Sequence, residues 1–398
     1  MSEREVLISG AGLAGPALAL ALHRHGFRVT VVERAAALRD GGYKVDIRGA
    51  AVEVLKRLGL FRAARAADTA MRHVTYVRPD GRPIATLDAS LLMGRRGDDL
   101  EVMRTDLTRI LYGATTGDVD YVFGDSIETL DERPDGVAVT FASGVTRRFD
   151  VVVGADGLHS ATRRLVLGDV PLRHLGAYIS IFDLADDLGL DHEEVFHVAP
   201  GRMVFAYSTG VGERAKAGLV FASPPLPRTA DPRQVLRDRF AGSGWRVPSF
   251  LDALDAAPDL YFDAMSQVEL PRWSAGRVVL LGDAAHCPAP SSGQGTSLAL
   301  VGAYVLAGEL ARGGGHAAAF ARYEAAMRPY VARNQELGRT MAADMVPGGR
   351  LKVALLHHGM RSLRFNPWKR QIIELVTRPV HLAAGAIELP SYPMAAAV

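Results

Sequence analysis

The sequence is poor in the features that would place it in several large functional classes. It has one cysteine, Cys287, in 398 residues, so neither an intramolecular disulfide nor a cysteine-based zinc site can be built. It has almost no charge excess: 46 Lys plus Arg stand against 44 Asp plus Glu, a formal net charge of +2. No basic run or tail stands out, which argues against nucleic-acid binding. The longest apolar runs, near 14–22 and 298–310, fall short of the roughly 20 residues that cross a bilayer. Met1-Ser2-Glu3-Arg4-Glu5 lacks the basic segment that opens a signal peptide. These absences lead us to expect a cytoplasmic chain in a reducing compartment. It should hold no metal and bind no nucleic acid. It should have no stable membrane association, and should work as a monomer or weak dimer.

What is present is an ordinary globular composition, 48% hydrophobic and 23% charged. The length predicts two or three domains. Residues 5–9 read as a buried strand, and the turn Gly10-Ala11-Gly12-Leu13-Ala14-Gly15 follows. An Ala/Leu-rich helix then runs to Gly26, and 28–33 is the next strand. This is a βαβ unit, so the fold class is α/β with a Rossmann-like parallel sheet. A hairpin is expected around Pro79-Asp80-Gly81, a helix after Arg104, and a three-stranded meander over 126–149. From 172 to 270 strands dominate, broken by one helix at 232–241, and 277–281 returns to the buried-strand pattern. Helices follow from 296 onward, with a glycine break at Gly348-Gly349. The expected division is a discontinuous nucleotide-binding domain (1–70, 97–172 and 269–330), an inserted sheet domain (71–96 and 173–268) and a helical segment (331–398).

The strongest local signal is Gly10-x-Gly12-x-x-Gly15 between strand and helix. The three glycines suit a tight turn, close approach to a pyrophosphate, and helix–strand packing. The helix N-terminus offers free N–H groups to phosphate. Glu33 ends the second strand at the spacing of an adenosine-ribose ligand. The fingerprint alone does not separate NAD from FAD. Two further segments bear on that choice. One runs from Asp150 through Asp156-Gly157-Leu-His-Ser160. The other is Gly282-Asp283-Ala-Ala-His286-Cys-Pro288-Ala-Pro290-Ser-Ser-Gly293-Gln294-Gly295, leading into Thr296.

In order and spacing these three motifs resemble the class A FAD-dependent aromatic monooxygenases, the family of para-hydroxybenzoate hydroxylase. The stretch from Gly41 to Gly49 looks most like the tetracycline-inactivating members and their actinobacterial relatives. The resemblance covers residues 4 to about 345. It implies FAD as resident cofactor, a transient NADPH or NADH, and O2 as co-substrate. It implies that Asp283 accepts hydrogen bonds from ribityl hydroxyls, and that Gly293 and Gly295 let the chain pass close to the flavin ring. Arg104 would contact the ribityl or phosphate region. Arg34 would lie along the adenine, or in solvent. Asp46 and Arg48 would stand near the isoalloxazine; Arg48 could instead pair with a surface acid. Asp156 would serve FAD and the nicotinamide cofactor, or simply close a turn. Two departures stand out: many relatives carry Asn at Ser297 and Asp at Gly302.

The implied reaction is hydroxylation of an aromatic or polycyclic, polyketide- or antibiotic-like molecule through a flavin C4a-hydroperoxide. No catalytic base can be named. Candidate wall residues on the inserted strands are Phe182, His197, Phe205, Tyr207, Phe221, Tyr261, Asp263, Met265 and Gln267, with Pro288 in the floor. Alternating strand positions share a face, so each of these either lines the pocket or packs the sheet against its helix. Another flavin oxidase or reductase on the same fold, and a non-catalytic FAD-binding protein, stay open. Cys287 reads as a small buried residue. His357 and His358 diverge by about 100° on a helix and do not form a metal pair.

Overall fold

The computed structural model describes residues 4–39, 41–185, 188–210, 212–258 and 260–393. A six-stranded sheet forms the base of the nucleotide-binding part. Its order is Ser274–Ala275, Val278–Leu280, Val151–Gly154, Glu5–Ser9, Arg28–Glu33 and Asp120–Phe123. All neighbours are parallel except the edge pair Ser274–Ala275 with Val278–Leu280. The chain moves outward from Glu5–Ser9 in one direction, then returns to its other side at Val151–Gly154. The tip of Glu5–Ser9 is therefore the point where the strand order reverses, the usual ligand crevice of such sheets. Val151–Gly154 is buried throughout, as a strand covered on both faces must be.

One face of this sheet is closed by helices. Gly295–Ala311 is apolar almost all round and nearly every residue is buried, the mark of a core helix. It packs between Ala14–Arg24, Ala50–Arg57 and the long helix Gly315–Met345. The other face is closed by the meander Ile127–Arg133, Gly136–Phe141 and Thr146–Phe149, whose Val137, Val139, Phe141 and Phe149 pack on Leu7, Val32 and Val152.

A second sheet has seven strands, in the order Tyr261–Gln267, Arg173–Asp183, Lys216–Ala222, Arg202–Ser208, Glu193–Ala199, His73–Val77 and Pro83–Asp88. Residues 73–88 thus join strands drawn from beyond residue 172. One face is covered by the helices Pro232–Phe240 and Val247–Ala253, through Leu236, Phe240 and Phe250. The second of these helices was not evident in the sequence. The opposite face, with Ile179, Phe196, Phe205, Tyr207 and Met265, meets Tyr43, Met103 and Met345. Also unanticipated were the ribbon of Lys44–Ile47 with Leu100–Met103 and the fifth parallel strand, Asp120–Phe123.

The chain closes with three helices, Gly315–Met345, Arg350–Phe365 and Lys369–Ala384. The tail then returns to the core helix. A Cβ at Gly308 would sit 2.2 Å from the Tyr392 ring, and the Tyr392 hydroxyl donates to Glu309 at 2.7 Å.

Candidate FAD site

The fingerprint glycines do three different jobs. Gly10 has φ +109°, and a Cβ there would stand 2.6 Å from the Ala155 carbonyl oxygen. A Cβ at Gly15 would stand 1.9 Å from the Gly10 carbonyl oxygen. Both positions are closed by the protein's own backbone. Gly12 is different: its Cβ position meets only Arg104 Nη2, at 3.8 Å. It faces open space, with a guanidinium across from it. Leu13 and Ala14 are buried behind the turn.

Glu33 is engaged on both oxygens. It accepts from the Ala11 N–H at 2.9 Å and the Ala35 N–H at 2.9 Å. Its carboxylate fixes the fingerprint loop while lying at the strand end where a ribose would come. Arg34, beside it, is exposed. Asp156 accepts from the Thr162 N–H and hydroxyl and from the Ser160 hydroxyl. It therefore organises the start of helix Ala161–Leu167. Arg163, on that helix, donates to the Ala284 and Leu158 carbonyls at 3.0 and 2.7 Å. That buried arginine joins the second motif to the third, a link the sequence did not reveal.

Asp283 follows Gly282, whose φ is +63°. Burial raises the Asp283 carboxyl above its ordinary range, and Arg104 opposes that. Gly295, at the N-terminus of the core helix, would place a Cβ 3.8 Å from Asp283 Oδ1. Gly293 would place one 3.7 Å from Asp46 Oδ2. Between these glycines, Gln294 has zero exposure, and neither its Nε2 nor its Oε1 finds a partner among the described residues. A buried amide left without partners costs about 1–3 kcal/mol. Asp46 Oδ1 likewise lacks a hydrogen bond, although Arg48 lies 3.1 Å away as an ion pair. The open Gly12, the unpaired Gln294 amide and the flanking carboxylates fit a polyhydroxylated, hydrogen-bonding ring cofactor. Thr296 lies in the first turn of helix Gly295–Ala311, where backbone N–H groups have no partner within the helix.

Arg48 is buried rather than solvated. It donates to the Met93 and Gly94 carbonyls at 2.9 and 3.3 Å, and its backbone N–H donates to Ser297 Oγ at 3.3 Å. The departure to serine at 297 thus keeps a polar contact. At Gly302 a Cβ would lie 2.9 Å from Leu281 Cδ1, so this core has closed over the space a larger residue would need.

The loop floor is held from the long helix. A Cβ at Gly338 would lie 2.1 Å from the Pro288 carbonyl oxygen. Ser291 Oγ donates to the Gly338 carbonyl at 2.8 Å. Gln267 Nε2 donates to the Pro288 and Gln335 carbonyls at 3.0 and 2.7 Å. Gln267 and Pro288 are therefore tied to each other. Ala289 takes φ +74° and ψ 152°, a region populated almost only by glycine. Pro290 opens the short turn after it.

Of the wall candidates, Phe205, Tyr207 and Met265 share the sheet face that meets Tyr43, and Tyr261 stands with its ring 5.4 Å from that of Tyr43. Asp263 is bound by His159 Nε2 at 3.0 Å, a contact between the second motif and the sheet. The Asp263 hydrogen bond raises the His159 imidazole above its ordinary range. Phe182 and Phe221 stand on the other face, packed on the helices; they cannot reach a cleft on the Tyr43 side. His197 is buried and bonded to the Val77 carbonyl at 3.3 Å. Cys287 is buried, and burial pushes its thiol up, which suits a packing role.

Sequence reasoning missed a buried charge network beside Asp46. Lys44 Nζ lies 2.7 Å from Glu194 and 3.2 Å from Glu101, and Arg95 Nη2 lies 2.6 Å from Glu101. The available signal was a charged residue at an inward position of an apolar strand, as at Glu194 and Glu101. No group of three or more His, Cys, Asp or Glu among the described residues could hold a metal.

The site defines a flavoprotein of the doubly wound class, and comparison with known proteins agrees. Residues 3–337 match the family described as FAD binding domain. A flavin-dependent monooxygenase from an unknown prokaryotic organism is 42% identical over 341 residues, covering 84% of this chain and 88% of the relative. An uncharacterised protein of Mycobacterium tuberculosis is 43% identical over 357 residues, covering 87% of this chain and 94% of the relative. The crystal structure of tetracycline destructase Tet(55) superposes with a TM-score of 0.86 at 37% identity, covering 98% of this chain and 99% of that one. The chain belongs to the FAD-binding-domain family of flavin-dependent monooxygenases. The resemblance read from three short motifs is thereby borne out.

Proposed function

We propose that the protein uses NAD(P)H and O2 to hydroxylate an aromatic or polycyclic small molecule, of the tetracycline or polyketide kind. The observation that carries this reading is the aromatic sheet face. Phe205, Tyr207 and Met265, with Tyr43 and Tyr261 packed against them, form an apolar cluster, and the Arg104 guanidinium lies 5.9 Å from the Tyr43 ring at its edge. Such a surface, with a few polar groups set in it, suits a flat ring system. The likeness to a tetracycline destructase supports the same class of substrate.

Bound FAD supplies electron transfer and dioxygen activation. The protein's part is to bind, orient and exclude water. Gly12 leaves room for the phosphates, and Arg104 faces them with positive charge. Asp283 accepts from hydroxyls; its raised affinity for a proton reflects a carboxylate sunk beside the motif loops. Gln294 offers a donor and an acceptor to a ring edge. The N-terminus of helix Gly295–Ala311 favours negative charge in front of it. Burial pushes the Tyr43 and Tyr261 phenols upward, so both stay neutral at physiological pH and serve as walls. Asp263 remains a candidate polar contact.

The test is purification with FAD, followed by NADPH and NADH oxidation in air with and without a panel of tetracyclines and polycyclic phenols. The expected result is a flavin spectrum, substrate-stimulated oxidation, and a product heavier by one oxygen atom. Asp283→Ala should weaken FAD binding. A protein that takes up no FAD would overturn the site. One that binds FAD but yields no oxygenated product would overturn the reaction.

A further inference from the structure

Helices Arg350–Phe365 and Lys369–Ala384 lie beyond the residues that hold the cofactor. Each packs down on a narrow stripe. Val353 is buried in the first, and Ile373, Ala383 and Ala384 in the second. Their outer faces are unusual. Leu351 is 74% exposed, Phe365 76%, Trp368 63%, Leu375 70% and Val376 71%. The spacing is helical: 351, 355 and 365 fall on one stripe of the first helix, and 368, 372, 375 and 382 on one stripe of the second. Single exposed apolar side chains are common. Stripes on two successive helices mark an interaction surface.

Charge identifies what it meets. Over 350–384, Lys and Arg outnumber acidic residues seven to one, Glu374 being the acid. The rest of the chain is net acidic, since the whole carries only +2. The Arg364 guanidinium rides 5.2 Å over the Phe365 ring, a charged head placed beside an apolar anchor. A symmetric pairing of two such faces would set cation against cation. An anionic lipid surface satisfies both features. The apolar stripes enter the acyl boundary, while Lys and Arg meet the headgroup phosphates. No helix among the described residues is long and apolar enough to cross a bilayer, so the helices would lie on it.

We infer that the C-terminal helical pair docks the protein reversibly on an anionic bilayer. The aromatic pair Phe365 and Trp368, at the turn between the helices, forms its leading edge.

The FAD-loaded full-length protein is mixed with vesicles of phosphatidylcholine alone or with 30% phosphatidylglycerol added, and floated on a density gradient. Binding is expected only to the anionic vesicles, falling at high salt. Arg361→Glu with Arg364→Glu should lower vesicle affinity at least 25-fold, about fivefold per cation replaced. Trp368→Ser with Leu375→Ser should lower it at least tenfold. Both variants should keep their FAD spectrum and thermal midpoint, because the changed side chains are exposed. Equal recovery with neutral vesicles, or none with anionic ones, overturns the proposal. So does a dimer in solution that Trp368→Ser with Leu375→Ser converts to monomer, which would assign the face to a second copy of the chain.

Discussion

Lys44 Nζ lies 2.7 Å from Glu194 Oε2, and this contact ties the motif loop to the inserted sheet. Lys44 stands on the same ribbon strand as Asp46, while Glu194 stands on a strand of the other sheet. The Lys44 backbone N–H also donates to the Tyr207 hydroxyl at 3.1 Å. The pair extends through Glu101 and Arg95 to Asp46 and Arg48. Burial pushes the Glu101 carboxyl up, but Lys44 and Arg95 together outweigh it and hold the group at about 2. Glu194 is deeply buried and has fewer cations beside it; burial leaves its carboxyl raised.

Removing one member of such a network leaves another charge buried and unpaired. Lys44→Met should therefore cost about 3–5 kcal/mol of stability. Lys44→Met combined with Glu194→Leu should recover part of that loss, because both charges leave together. Urea unfolding of the two variants checks the order. A double variant no more stable than the single one would show that the pair does not act as a unit.

Gly12 and Gly15 belong to one motif, yet their surroundings predict opposite phenotypes. The Cβ of Gly15→Ala would meet backbone at 1.9 Å, so the fold itself should lose about 3 kcal/mol. The Cβ of Gly12→Ala meets nothing closer than 3.8 Å, so the fold should hold. If the phosphates lie against Gly12 as proposed, its methyl group would obstruct them, and FAD affinity should fall at least tenfold, about 1.4 kcal/mol. Thermal melts without FAD and a flavin-fluorescence titration separate the two effects. An unchanged FAD affinity in Gly12→Ala would remove the pyrophosphate from that position.

These contrasts show which parts of the site a sequence can carry. Gly10, Gly12 and Gly15 are legible because a strand, a turn and a helix occur in one short window. The placement of Asp283 and Gln294 in one loop is legible because both belong to one continuous, longer segment, Gly282 to Thr296. Lys44 with Glu194 is not, because 150 residues separate them and only the approach of two sheets makes them neighbours. Phe182 and Phe205 illustrate a different limit. Both sit in apolar strands, and alternation says which neighbours share a face. It does not say which face the helices cover. That depends on Pro232–Phe240 and Val247–Ala253, and the second of these gave no clear periodic signal. Arg163 carries no signal in the sequence, and only its two carbonyl partners reveal it as a tie between motifs.

Ala289 holds a backbone conformation that an L-residue adopts at a cost of about 1–3 kcal/mol. It persists because the loop is fixed on both sides, by Gln267 on Pro288 and by Ser291 on Gly338. Ala289→Gly should relieve that strain. The expected gain is about 1 kcal/mol, somewhat less than the strain because glycine adds freedom to the unfolded chain. Denaturant midpoints with and without FAD check it. A loss of stability would show that the Ala289 methyl group is needed for packing beside the motif.

His286 supplies a prediction in pH. Its ring is buried 4.7 Å from that of Trp273, and Nε2 meets the Tyr323 hydroxyl at 3.3 Å. Burial lowers its imidazole to about 3, whereas the unfolded chain titrates near ~6.5. Between those values the unfolded state binds a proton that the folded state refuses. The stabilising contribution is thus complete above about 6.5 and is lost as pH falls toward 3. It adds a slope of up to about 1.4 kcal/mol per pH unit. His286→Gln cannot take up that proton, so its stability should fall less steeply on acidification, although it starts lower because Gln packs less well against Trp273. Urea unfolding of both proteins at pH 4.5, 5.5 and 6.5 measures the two slopes, and carboxylates that titrate in both cancel in the difference. Parallel slopes would mean that His286 accepts a proton without leaving the core, and the imidazole would then have to find an acceptor beyond Tyr323.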